Sequence, residues 1–173
     1  MTNEEMLALA EKRGFCAGLL FTEELPFNAD FRKYCEENRC GHYGENHSCP
    51  PGCGTPDEMR QRLLRYRTAL VLKTERPIGS YRDTAAIRQG KADHNARSRL
   101  LADELFAAGD RIYAGASCCD LCGECAPKVC PFPERRFSCL SAYCLDVAEL
   151  AARCGMSFSW DEHRLCLYSM IVF

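Results

Sequence analysis

Residues 118–131 read Cys118-Cys119-Asp120-Leu121-Cys122-Gly123-Glu124-Cys125-Ala126-Pro127-Lys128-Val129-Cys130-Pro131. Counted from Cys119, the spacing is C-x2-C-x2-C-x4-C-P. That is one residue longer before the last cysteine than the bacterial ferredoxin run. Three closely spaced thiolates on a curling loop reach three corners of an iron–sulfur cube. A remoter fourth closes it, and backbone N–H groups of the same loop donate to the sulfides. Structural zinc more often pairs two short-spaced cysteines with two distant ligands. Cys119, Cys122, Cys125 and Cys130 are therefore read as ligands of a [4Fe–4S] cluster, with zinc as the competing metal and Cys118 as an alternative to Cys119.

A second cysteine-rich stretch lies upstream, where Cys35, Cys40, Cys49 and Cys53 are spaced C-x4-C-x8-C-x3-C. Only its opening C-x4-C agrees with plant-type ferredoxins, so the spacing names no metal and the reading stays open between a second iron–sulfur cluster and zinc. His42 and His47 lie inside it, either as substitutes for a thiolate or as loop residues bonded to backbone. Cys49-Pro50-Pro51 is expected to hold the chain extended as it leaves the site.

Composition limits what these loops can belong to. Fourteen cysteines in 173 residues put cysteine at the edge of deciding the architecture, while 47% hydrophobic and 27% charged residues exclude wholesale disorder. The apolar runs Ala69–Leu72 and Leu167–Phe173 are too short to span a bilayer. The opening Met-Thr-Asn-Glu-Glu has neither a basic region nor an apolar core, so no membrane association and a cytoplasmic setting are expected. Thiols stay reduced there, which favours metal over disulfides. Cys16, Cys154 and Cys166 stand singly and read as small buried hydrophobes.

Outward from the cysteine loops, 1–173 is expected to be a single domain, α+β, with one mixed or antiparallel sheet and packed helices. Thr2 with Glu5 forms a capping box for a helix over 3–13 that Gly14 ends, and residues 18–22 read as a strand. Residues 31–54 read as a loop-dominated segment. Thr55-Pro56-Asp57-Glu58 opens a helix over 56–67, and 68–74 is a buried strand. Residues 83–108 read as one or two helices with Gly90 as the break. A strand over 111–115 feeds the 118–131 loop, and 146–154 is a helix. Residues 156–160 and 165–173 read as two strands of a hairpin.

The net charge of −2 is unevenly spread. Residues 60–99 carry 11 basic and 3 acidic side chains, +8, against −6 for 1–59 and −4 for 100–173. The functional reading of this basic stretch is a docking face for an acidic redox protein of ferredoxin or flavodoxin type. The plainer one is solvated helix faces. No recognised nucleic-acid module accompanies the arginines, which argues against nucleic acid. There is no Walker loop, G-x-G-x-x-G or H-E-x-x-H. His94 and His163 read as surface or capping residues, and Asp120 and Glu124 as solvated.

Arg39-Cys-Gly-His-Tyr-Gly with Cys49-Pro-Pro, then Cys119-x2-Cys122-x2-Cys125, Cys130-x2-Pro133 and Asp146-Val147, resemble the cysteine-rich predicted metal-binding protein family, domain of unknown function 2284. The resemblance runs from about residue 15 to the end. It implies metal or iron–sulfur binding by Cys35, Cys40, Cys49, Cys53, Cys119, Cys122, Cys125 and Cys130, without naming a reaction. Ser138-Cys-Leu-Ser-Ala-Tyr-Cys144 departs from the family's Pro-Ser-Leu/Met-Glu-Ala-Tyr-Gly, so Cys139 and Cys144 read as buried neutral replacements. The expected function is an iron–sulfur electron-transfer or redox-accessory protein with one or two clusters. The alternatives are a zinc module, or a cluster enzyme with an open iron site in which Cys130 is free.

Overall fold

The computed structural model describes residues 1–158 and 161–173. Five helices pack on one mixed five-stranded sheet, an α+β architecture. The helices are α1 Asn3–Lys12, α2 Arg32–Glu36, α3 Pro56–Leu63, α4 Thr84–Leu105 and α5 Val147–Arg153. The strands are β1 Cys16–Phe21, β2 Thr68–Pro77, β3 Ile112–Gly115, β4 Ser138–Cys139 and β5 Arg164–Val172. Sheet order is β1-β2-β5-β3-β4, antiparallel except for the β3–β4 pair, in which Gly115 stands opposite Cys139.

Strand pleating sorts the core into two layers, because successive side chains point to opposite faces. Leu70, Leu72, Tyr113 and Ile171 pack toward Ala10 of α1 and Leu101 and Ala102 of α4. Ala69, Val71, Ala114, Met170 and Val172 pack toward Met59 and Leu63 of α3 and Leu150 and Ala151 of α5. Helices therefore cover both faces of the sheet. Among the described residues, no helix is long and apolar enough to cross a membrane.

Local capping signals decide the helix starts. Thr2 and Glu5 form one capping box and Thr55 and Glu58 another, with Pro56 at the first turn of α3. Asp146 caps α5 through the Glu149 N–H.

Four expectations are corrected. Gly90 does not break α4, which runs through it for 22 residues. A Cβ there would lie 2.9 Å from Leu165 Cδ2 and 3.0 Å from Arg76 Cδ, so the glycine marks a close approach of helix to sheet. β2 continues to Pro77, paired with Arg164 of β5. Residues 156–158 carry no strand, while 159–160 of that expected strand lie outside the described residues. Cys16 is exposed, not buried.

Candidate metal centre

The 118–131 loop leaves the sheet at Gly115 and returns at β4, so both its roots are held in one parallel pair. The upstream root is fixed from α4. Asn95 is fully buried, and its Oδ1 accepts from the Ala116 N–H (2.9 Å) and the Tyr113 hydroxyl (3.2 Å). Its Nδ2 donates to Ser117 Oγ at 2.8 Å. Gly115 makes this approach possible, because a Cβ there would lie 2.9 Å from Asn95 Oδ1 and 2.7 Å from Phe137 Cε2. The downstream root is buried through Phe137, which stacks edge-on against Tyr113 at 4.9 Å.

Cys119, Cys122, Cys125 and Cys130, all half-buried, line a common cavity of about 180 Å³ together with Cys118. His42, His47 and Arg136 bring basic side chains to its wall. The backbone N–H groups of Leu121 and Phe137 donate to the Cys119 sulfur, and burial outweighs them to push its thiol pKa up. Arg99 pairs with Asp120 beside the loop and lies over the Phe137 ring at 5.1 Å.

The upstream loop is laced to this one at three places. Ser48 Oγ accepts from the Cys119 N–H at 3.2 Å. His47 Nε2 donates to the Ala126 carbonyl at 2.6 Å, the backbone-bonding role open to it. The third lacing is the Cys118 thiol, which hydrogen-bonds Cys49. Asn46 Oδ1 holds this corner by accepting from the Ser48 N–H (2.9 Å) and hydroxyl (2.8 Å) and from the Cys49 N–H (2.8 Å). Cys118, as donor, draws the Cys49 thiol down to about 6, against the opposing effect of burial. Asn46, Ser48 and His42 also lower it. Cys118 itself is pushed up, first by that bond and then by burial.

Cys35 interacts with Cys40 and Cys49, and burial pushes its thiol up to about 11. Cys53 stands apart. It is buried with Met59 and Leu63 in the α3 layer, and the Arg32 guanidinium reaches its sulfur at 3.7 Å. Arg32 Nη2 donates to the Ala142 carbonyl at 3.0 Å, while its buried Nε makes no hydrogen bond. The chain after Cys49 turns instead of running extended, with the Cys53 N–H donating to the Cys49 carbonyl at 3.0 Å.

Two cysteines outside the expected set border the upstream group. Cys139, half-buried in β4, interacts with Cys49, Cys35 and Cys40, and burial pushes its thiol up to about 12. Cys144 is fully buried at φ +56, a left-handed position that explains why glycine suits it in the resembled pattern. Cys139 also lines a second, mostly apolar cavity of about 400 Å³ with Lys91, Ser141 and Cys166.

His94 is the functional-looking residue whose expected place is overturned. It is buried in α4 with 1% exposure, bonded through Nδ1 to Thr74 Oγ1 (2.6 Å) and through Nε2 to Ser169 Oγ (2.9 Å). Burial depresses its pKa to about 4, so it is a neutral structural imidazole. Its partners lie far off in sequence, and nothing local marks them.

All fourteen cysteines are free thiols. Among the described residues, no three His, Cys, Asp or Glu side chains close on a single ion. The chemistry of the donor set nevertheless fits a thiolate-bound group: five thiols around one cavity, sulfur-directed N–H donors, and a buried guanidinium with a spare N–H beside Cys53. No curated protein and no solved structure matches the chain. Over residues 19–173, which include both cysteine-rich loops, the sequence matches the family described as predicted metal-binding protein (DUF2284), and the chain belongs to that family.

Proposed function

We propose that this metal-binding protein is an iron–sulfur electron carrier or redox accessory. The observation that carries the reading is the placing of Cys119, Cys122, Cys125 and Cys130 around the walls of one cavity of about 180 Å³, in ferredoxin-like spacing. A single zinc ion draws its sulfurs to about 2.3 Å from one point, whereas a cube takes ligands spread around a larger body. These four thiolates would hold one [4Fe–4S] cluster. A second centre would draw on Cys35, Cys40 and Cys49, for which the sequence offers Cys53 as the fourth thiol.

The chain's own residues would tune such a centre. The Leu121 and Phe137 N–H groups stabilise negative charge on the Cys119 sulfur, and the Arg136 guanidinium in the cavity wall raises the local potential. An acidic donor of ferredoxin or flavodoxin type is proposed to meet the α4 part of the 60–99 stretch. Arg88 and Arg97 are exposed there, and Arg99 reaches the cysteine loop through Asp120. The α3 part faces the other side of the sheet. The test is stepwise reduction of anaerobically purified protein followed by electron paramagnetic resonance. A reducible cluster signal supports the reading. Zinc with no signal on reduction replaces it by a structural zinc module.

A further inference from the structure

We propose that the second cavity is a ligand site for a small aromatic carboxylate, with the anionic head on Lys91 and the ring against the apolar walls. This does not rest on the metal-binding reading. The cavity holds about 400 Å³, against about 180 Å³ for the one lined by the 118–131 thiols. Small-molecule sites run from about 300 to 1,000 Å³ and pair apolar walls with a few polar groups. Ile87 of α4, Val147 of α5 and Leu165 and Leu167 of β5 supply the apolar wall. The rings of Phe158 and Tyr168, with centroids 5.8 Å apart, add an aromatic one, and Phe158 keeps 37% exposure where the cavity opens. Such walls suit a flat, apolar body.

The polar groups of the lining select the head. Both tyrosine hydroxyls are engaged, Tyr81 donating to the Arg164 carbonyl (2.8 Å) and Tyr168 to the Ser157 carbonyl (3.0 Å). The backbone of the floor is paired as well, the Leu140 N–H with the Gly115 carbonyl and the Ala116 N–H with Asn95 Oδ1. Lys91 is the one charged residue among the described residues of the lining, and it is half-buried. Its neighbours one turn away on α4 are Ile87, Arg88, His94 and Asn95, none of them acidic. The carboxylates closest to it in the fold's ion pairs are engaged elsewhere, Asp93 by Arg76 and Gln89 and Glu75 by Lys73 and Arg164. Among the described residues the Lys91 ammonium makes no ion pair or hydrogen bond, and the Ser141 hydroxyl has no partner. The ammonium donates only and the hydroxyl can donate, which fits a carboxylate that only accepts. A single cation without an arginine fork matches one negative charge better than a phosphate dianion.

The test compounds are 2-naphthoate and its neutral isostere 2-naphthamide, measured by equilibrium dialysis against the anaerobically purified full chain. The acid is expected to bind with a dissociation constant of about 0.1–1 mM and the amide about tenfold more weakly. Lys91→Met should bring the acid down to the affinity of the amide and leave the amide unchanged. Location is read from Cys166, half-buried in the cavity wall. Saturating 2-naphthoate should slow its alkylation about tenfold, measured by mass spectrometry, and leave exposed Cys16 unaffected. Should Lys91→Met lose the amide as well, Ser141→Glu decides: the added negative charge in the wall should weaken the acid about tenfold and spare the amide. No binding of the acid at about 5 mM, equal affinities for acid and amide, acid binding unchanged in both variants, or binding that leaves Cys166 unprotected overturns the proposal.

Discussion

Asn95→Ala removes the clamp that α4 places on the root of the 118–131 loop. The side chain makes three hydrogen bonds from a fully buried position, to the Ala116 N–H, the Tyr113 hydroxyl and Ser117 Oγ. Their losses are unequal. Tyr113 keeps Ser98 Oγ at 2.7 Å, and Ser117 is half-buried, so its hydroxyl can turn to water. The half-buried Ala116 N–H loses its acceptor, and a donor left without a partner costs up to about 1–3 kcal/mol. The space left by the carboxamide adds about 1 kcal/mol more. A destabilisation of about 2–4 kcal/mol follows. Urea unfolding at pH 7 measures it as a lower midpoint with unchanged slope. The loosened root also lets metal escape, so transfer to a competing chelator should accelerate about tenfold, equivalent to ~1.4 kcal/mol. A loss below about 1 kcal/mol with unchanged metal release would refute the clamp.

Serine at Cys122 or Cys125 should sharply reduce bound metal on elemental analysis, because an alcohol is a poor substitute for a thiolate at a soft site, whereas Cys16→Ser should leave metal content unchanged. Gly115→Ala should destabilise the fold by about 1–3 kcal/mol in urea, since its Cβ would press on both Phe137 and Asn95; wild-type stability in that variant would contradict the close packing. His94 sets an acid limit. Its folded pKa of about 4 lies below the ordinary 6.5, so between those values the unfolded chain takes up a proton that the folded chain refuses. Its contribution to stability is intact above pH 6.5 and falls by about 3 kcal/mol on going to pH 4. Subtracting the pH–stability curve of His94→Asn isolates it, and parallel curves would show that His94 titrates normally.

What the sequence revealed was what depends on near neighbours. Thr2 with Glu5 and Thr55 with Glu58 cap their helices through residues three positions away, and both boxes form. The cysteine spacing 119-122-125-130 likewise brings its own members to one cavity. Features built by distant partners were not legible. Gly90 reads as a helix break until Leu165 and Arg76 are seen packed against it. His94 reads as surface until Thr74 and Ser169 enclose it. The two-residue strand β4 exists only because Gly115 stands opposite it.

The 60–99 stretch gives a related lesson about charge. In sequence it is one basic block, but α3 and α4 cover opposite faces of the sheet. Several of its arginines are engaged internally: Arg62 with the Cys53 carbonyl, Arg76 with Asp93, Arg97 with the Arg13 carbonyl and Arg99 with Asp120. Net charge along a chain says little about a docking face until the fold has distributed it.

Iron and acid-labile sulfide, quantified per chain in protein purified without oxygen, test most directly whether these thiols enclose inorganic clusters. The account predicts iron and sulfide in near-equal amounts, about four of each per occupied cluster. Iron-free protein, or zinc without sulfide, would contradict it.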